Sequence, residues 1–316
     1  MLGECAHKPR GEKRHSLPGL AAASSAPAHA RNDVLIETKL HAPTARSEWV
    51  ERLDLVRYLA DATARLVLVA APAGFGKTTL VAQWRSSAIG GRPFAWVSLD
   101  HGDDDPGRLW WHVVSALGRA CPRFGGEKIL RALRVQVPDI GAVVLPMLVN
   151  ELTALDEPVV LVLDDYHAIR EHACHHQMAS LLGHLPSAAQ VVIITRSDPP
   201  LPLARMRAAA EMVEIRARDL RFDAPEAAAL VHAVAAAELG EPDLEDLVER
   251  TEGWPAGVYL AALSLRGRSS PGAMVRQFTG RCSSRCRTGR MLSWPGWEGS
   301  NGRSPCCHAP CRWPSP

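Results

Sequence analysis

Leu66-Val67-Leu68-Val69-Ala70-Ala71-Pro72-Ala73-Gly74-Phe75-Gly76-Lys77-Thr78-Thr79 carries an apolar, partly β-branched run into a glycine-bearing loop. Leu80, Val81 and Trp84 then recur at helical spacing. The reading is strand, loop, helix. The loop fits the phosphate-binding pattern with Ala71 in the first glycine position, four intervening residues, then Gly76, Lys77 and Thr78. Gly74 and Gly76 let the backbone turn its N–H groups around phosphate oxygens with no Cβ in the way. Lys77 supplies a flexible positive charge for the outer phosphates. Thr78 offers Mg²⁺ a hydroxyl at a helix N-terminus, where the dipole already favours anions. The expected nucleotide-binding segment is therefore Ala71, Pro72, Ala73, Gly74, Phe75, Gly76, Lys77, Thr78 and Thr79.

Working outward, Trp49 to Ala60 reads as a helix with Val50, Leu53, Val56 and Leu59 in a stripe, and Arg46 in the loop before it is placed to reach a nucleotide. After the loop helix, Phe94 to Leu99 is a buried-type strand. The acids Asp103, Asp104 and Asp105 suggest a metal cluster, but Asp105 followed by Pro106 reads better as an N-cap and first helical position. Residues 122 to 141 are weakly patterned, and a helix is expected from about Ala142 to Leu155.

Pro158-Val-Val-Leu-Val-Leu-Asp-Asp165 describes a strand buried on both faces, as in a parallel sheet, with two acids at its carboxyl end. Ligands of open α/β sheets bind at that end. If this strand lies beside the phosphate-loop strand, Asp164 approaches the Mg²⁺ held by Thr78 and Asp165 is free to polarise the attacking water. His172 and His176 are spaced to share a metal on one helical face, although no third ligand is evident and a solvated face is the better reading. Gln190 to Thr195 is the next buried strand. It ends at Arg196, which would either sense the γ-phosphate or pair with Asp198. Met212 to Arg216 reads as a fifth, edge-type strand. Strands then give way to helices: Asp223-Ala-Pro-Glu226 has a capping-box signature, and Glu252-Gly-Trp-Pro-Ala-Gly257 breaks two helices. The fold class expected is a doubly wound, mainly parallel five-stranded α/β sheet with a C-terminal helical lid.

Six stretches in this order resemble the ATP-binding module of the MalT-like, large ATP-binding regulators of the LuxR family, which belong to the STAND class of P-loop NTPases. They are Ala-Pro-Ala-Gly-Phe-Gly-Lys-Thr-Thr, Trp-Val-Ser-Leu-Asp, Leu-Val-Leu-Asp-Asp-Tyr-His, Thr-Arg-Ser-Asp-Pro-Pro-Leu-Pro-Leu-Ala-Arg, Asp-Leu-Arg-Phe and Gly-Trp-Pro-Ala-Gly. The resemblance spans about residues 33 to 280. It implies ATP/ADP and Mg²⁺ as ligands, with Lys77 and Thr78 on phosphate and metal, and Asp164 and Asp165 as the acidic pair. Arg196 matches the sensor arginine, and Gly253 and Pro255 match the lid's Gly-x-Pro contact with nucleotide. It further implies a switch in which ADP holds a closed monomer and ATP plus an inducer permits self-association, with slow hydrolysis. A stand-alone NTP hydrolase and an inactive interaction fragment are the rival readings.

Residues 1–32 show no period and read as a disordered extension, followed by a nucleotide domain over 33–217, a lid over 218–280 and an aberrant tail over 281–316. In that tail Cys282, Cys286, Cys306, Cys307, His308 and Cys311 fit no paired zinc framework, and the composition shift suggests out-of-frame translation after about Gly280. The chain therefore reads as truncated before the sensor and helix-turn-helix regions of its relatives, so DNA binding is not expected of it. A formal charge of +2 does not suit a protein that coats nucleic acid by electrostatics. No signal peptide or membrane-length apolar run is evident, so a cytoplasmic protein with no membrane partner is expected.

Overall fold

The computed structural model describes residues 35–267 apart from positions 45, 47, 88, 90 and 135–138, together with Gly272 and Val275. The extension over 1–32, the tail over 281–316 and its cysteine cluster lie outside the described residues. In chain order the main elements are α1 (Leu53–Ala60), β1 (Leu66–Ala70), α2 (Lys77–Ser86), β2 (Phe94–Ser98), α3 (Pro106–Ala120), α4 (Gly126–Leu133) and α5 (Leu145–Thr153). They continue with β3 (Val159–Asp164), α6 (His172–His184), β4 (Ala189–Thr195), α7 (Leu203–Ala208), β5 (Met212–Arg216), α8 (Ala224–Ala235), α9 (Glu241–Thr251) and α10 (Pro255–Leu265).

The five strands form one sheet in the order β2-β3-β4-β1-β5, and every pairing is parallel. Successive side chains of a strand point to opposite faces, and the two faces are covered by different helices. Leu66, Leu68, Leu161, Leu163, Val191 and Ile193 meet α3 to α7 on one side. Val67, Val69, Val160, Val162, Val192 and Ile194 meet α1 and α2 on the other. Such double burial is why β1, β3 and β4 read as solid apolar runs. The architecture is the expected doubly wound α/β fold.

Two expectations about the sheet and its neighbours need correction. β3 does not lie beside β1, because β4 is inserted between them. The helix expected from Trp49 begins only at Leu53. Gln83 of α2 donates to the Val50 carbonyl at 2.7 Å and its Oε1 accepts from Arg52 N at 3.3 Å, which holds that stretch out of helical conformation before the first turn. The weakly patterned region contains α4, whose Ile129 and Leu133 reach the core. Over Ile140–Val144 a wide π-type turn precedes α5.

The acid-rich loop after β2 is spent on structure. Asp100 accepts from Gly102 N, Asp104 accepts from the backbone N–H of both Arg170 and Glu171, and Asp105 caps α3 through Arg108 N. Asp103 is fully buried against Lys39 Nζ at 2.6 Å, an ion pair that ties the turn Glu37–Leu40 to this loop. Among the described residues no group of three or more His, Cys, Asp or Glu is arranged to hold a metal, and His172 and His176 are exposed. No helix among those residues is long and apolar enough to cross a membrane.

Helices α8, α9 and α10 gather around a separate apolar cluster that includes Leu230, Val231, Leu247, Val258 and Ala262. The capping box at Asp223 is present in both directions. Arg52 joins this helical part to α1. Its guanidinium pairs with Glu226 at 2.8 and 3.0 Å, donates to the Leu220 and Arg221 carbonyls and stacks over Phe222 at 5.2 Å. Replacing Arg52 by Met leaves the Glu226 carboxylate and two carbonyls without these donors, so a loss of about 2–4 kcal/mol in unfolding free energy is expected. Urea denaturation monitored by circular dichroism measures it.

Candidate functional site

The phosphate loop leaves β1 at Ala70, crosses above β4 and enters α2 at Lys77. Ala71 N donates to Thr195 O, and buried Phe75 anchors the loop in the core beneath it. Gly74 and Gly76 both have positive φ, at 79° and 75°, the left-handed region open to glycine at no steric cost. Pro72, Ala73 and Gly74 are exposed, and Thr78 and Thr79 lie half-buried in the first turn of α2.

Because the loop passes over β4, the first turn of α2 faces the end of β3 despite the intervening strand. Thr78 Oγ1–H donates to Asp164 Oδ1 at 3.0 Å, and Asp165 N donates to the same oxygen at 3.0 Å. Asp164 is 6% exposed. Burial, and then repulsion from Asp165, raise its carboxyl to about 7, opposed by the Thr78 and Asp165 hydrogen bonds and by Lys77. Lys77 donates to the Pro72 carbonyl at 2.9 Å. Burial lowers its ammonium to about 8, with Asp165 and Asp164 opposing and Arg196 adding to the fall. A hydroxyl and a buried carboxylate this close form an oxygen pair of the kind Mg²⁺ accepts, with water supplying the remaining positions.

Asp165 has φ 56°, a left-handed conformation that is uncommon for a residue with a Cβ and that clusters at functional sites. His167 Nδ1 lies 3.5 Å from Asp165 Oδ1. Burial holds the His167 imidazole below its usual range, with Asp165 opposing and Arg196, Lys77 and His101 adding to the fall. Arg196 is exposed just beyond β4 and acts electrostatically on both Lys77 and His167. The alternative pairing with Asp198 is not made. Asp198 is taken by Arg216 and lies 3.7 Å from Arg207, and both arginines also hold Glu214, at 3.0 and 2.7 Å, closing a ring of four charges. Arg196 forms no ion pair with any described residue.

Arg46 is exposed in the segment before α1, and its carbonyl accepts from Trp49 N at 3.1 Å. Gly253 turns at φ 65°, where a Cβ would meet the Phe222 carbonyl at 2.6 Å, and its own carbonyl accepts from Phe222 N at 2.7 Å. Pro255 is buried at the first position of α10. The turn carrying both residues rests directly on the phosphate loop: Trp254 Nε1–H donates to Ala73 O, and Ala256 N–H donates to Gly74 O, each at 3.1 Å. Neither Trp254 nor Arg52 was identifiable from spacing. Trp254 stands inside a recognisable motif, but nothing in a sequence marks the direction of an indole donor.

A polyphosphate and a divalent cation are the ligands that a loop of this conformation, set against a buried carboxylate at the same end of a parallel sheet, is suited to gather. The class is that of P-loop NTPase modules. No protein-family model matches the chain. It is 33% identical over 238 residues to the HTH-type transcriptional regulator MalT of Serratia proteamaculans, covering 75% of this chain and 26% of that protein. It is also 34% identical over 230 residues to the serine/threonine-protein kinase PknK of Mycobacterium tuberculosis, covering 72% and 20% respectively. A Walker-type ATPase of Pyrococcus abyssi superposes with a TM-score of 0.48 at 15% identity, covering 76% of this chain and 74% of that one. The chain is a homologue of the MalT-like regulators and of PknK, and it spans about a fifth to a quarter of their length.

The folded chain holds the Asp164 proton more tightly than an unfolded aspartate, whose pKa is about 4. That contribution to stability is fully present below the unfolded value and is lost as pH rises through about 7. Asp164→Asn keeps an oxygen to accept from Thr78 and carries no charge. The ligand-free variant is expected to be more stable than the unchanged chain at pH 8, with the difference vanishing near about pH 4. Thermal melts across that range measure it.

Proposed function

We propose that this chain is the nucleotide switch of a MalT-like regulator, binding MgATP and MgADP on the phosphate loop and hydrolysing ATP slowly. The observation that carries the proposal is the 3.0 Å hydrogen bond between Thr78 and buried Asp164, beside a buried Lys77. In this reading Ala73 to Thr79 wrap the phosphates, Lys77 leaves the Pro72 carbonyl for the outer phosphates, and Thr78 with Asp164 hold Mg²⁺. The cation, when bound, neutralises phosphate charge and favours the ionised form of Asp164. Asp165 then orients the attacking water and accepts its proton, while Arg196, whose neighbouring carboxylate is already occupied, faces the γ-phosphate.

Residues 33–217 form the nucleotide domain in this scheme and 218–280 the lid. The lid is the bistable element, and ATP and ADP shift it only to the extent that they contact its two positions differently. Gly253 and Pro255 belong to the turn that would feel that difference, and Arg46 approaches the nucleotide from the segment before α1. Self-association in the ATP state completes the proposal, its supporting evidence being the similarity to MalT.

Calorimetry of MgATP and MgADP on the purified chain tests the reading. Lys77→Ala is expected to weaken both by at least about tenfold, the loss of one charge-assisted set of hydrogen bonds, and ADP is expected to bind more tightly than ATP. A folded chain that binds neither nucleotide overturns the proposal. In a phosphate-release assay, Asp165→Asn is expected to reduce turnover by about a hundredfold or more while ATP affinity stays within a few-fold.

A further inference from the structure

The three carbonyls of Pro72, Ala73 and Gly74 all have donors, the last two of them from outside the loop. Lys77 Nζ takes the first, the Trp254 indole N–H the second and the Ala256 backbone N–H the third. A trans peptide is planar, with its C=O and N–H pointing to opposite sides, and no cis peptide is present among the described residues. Fixing the Ala73 carbonyl therefore turns the Gly74 N–H away from the lid, and fixing the Gly74 carbonyl does the same for the Phe75 N–H. We propose that Trp254 is a positioning residue for phosphate binding, a donor on the lid that sets the peptide planes whose amides must face the anion. This deepens the nucleotide reading and rests on it.

Sterics around the indole support a specific seat. A Cβ on Gly74 would lie 2.8 Å from Trp254 Nε1 and 2.7 Å from Ala256 Cβ, and a Cβ on Gly257 would lie 2.9 Å from Trp254 Cε3. The ring is thus lodged between two positions that must lack side chains. Its own backbone is fixed by Trp254 N–H donating to Thr251 O and Val258 N–H donating to Trp254 O. A residue needed only for packing would require neither a donor aimed at a loop carbonyl nor glycines on both sides. A glycine-bearing loop has little intrinsic resistance to peptide rotation, so the restraint has to come from elsewhere. Lys77 cannot supply it once phosphate draws the ammonium away from Pro72, whereas both lid donors remain. Lid docking and phosphate binding therefore favour each other, and by linkage the coupling acts equally in both directions.

The test compares MgADP with adenosine, which lacks the phosphates, using calorimetry on the full chain and on Trp254→Phe, which keeps a ring and removes the donor. MgADP affinity is expected to fall about five- to twentyfold, the effect of one lost hydrogen bond and a less ordered loop, with adenosine unchanged within about twofold. Amides of the 73–76 segment are expected to exchange with deuterium faster, with β1 and β4 unaffected. Gly257→Ala, which crowds the indole without touching the loop, is expected to give the same ADP-selective loss and serves if Trp254→Phe does not fold. Equal losses for both ligands, or no loss for MgADP, overturn the inference while leaving the nucleotide reading in place. An unchanged chain that binds no MgADP overturns the nucleotide reading and this inference with it.

Discussion

A parallel sheet buried on both faces brings the carboxyl ends of all its strands to one side of the molecule, and the rest of this protein follows from that constraint. Residues as distant in sequence as Thr78, Asp164 and Arg196 converge because they lie, respectively, in the first turn of the helix that the β1 loop enters, at the last residue of β3 and just beyond β4. The core of each face leaves little freedom for any strand to shift its register, since a slip of one residue would exchange the side chains meeting α1 and α2 with those meeting α3 to α7. Polar chemistry at that end therefore sits on a frame that does not move with it.

Against that rigid frame the loop and the helices after β5 form a closed chain of contacts. From the phosphate loop, α2 runs to Gln83, which grips the backbone of Val50 and Arg52. Arg52 clamps Glu226 and the Leu220 and Arg221 carbonyls, next to Phe222. Phe222 N in turn donates to Gly253 O, and the following residues return to Ala73 and Gly74. Separation of α8 to α10 from the loop would have to break this circuit at an identifiable place, either the Arg52 clamp or the two hydrogen bonds onto the loop. The loop end is the weaker, since it rests on two neutral hydrogen bonds, whereas Arg52 carries a charge-assisted pair.

The strands, the phosphate loop and the caps at Asp105 and Asp223 were legible because each is dictated locally: double burial makes a solid apolar run, and a cap needs only residues three apart. Sheet order was not, since which strand neighbours β1 depends on crossovers that leave no local pattern, and it is β4 rather than β3 that pairs with β1 on that side. The Thr78–Asp164 contact forms all the same because the loop spans β4. The late start of α1 was hidden because Gln83, 31 residues beyond Arg52, controls it. Arg52 and Trp254 share this property: their roles lie in where a long side chain ends, which spacing along the chain does not encode. The acids after β2, which resemble a metal cluster in sequence, turn out to be claimed one by one by N–H groups and Lys39.

The ring of Asp198, Arg207, Glu214 and Arg216 has a consequence beyond releasing Arg196. Among the described residues β5 ends the sheet, and the outer strand of a sheet is a template onto which a strand of another molecule can add. At the opposite end β2 has the turn Glu37–Leu40 packed against it. β5 is only five residues long and is flanked by four interlocked charges, two of them its own. The salt bridges that leave Arg196 without an ion partner among the described residues thus also place charge beside this edge, a feature that disfavours strand addition and that weakens as salt screens it.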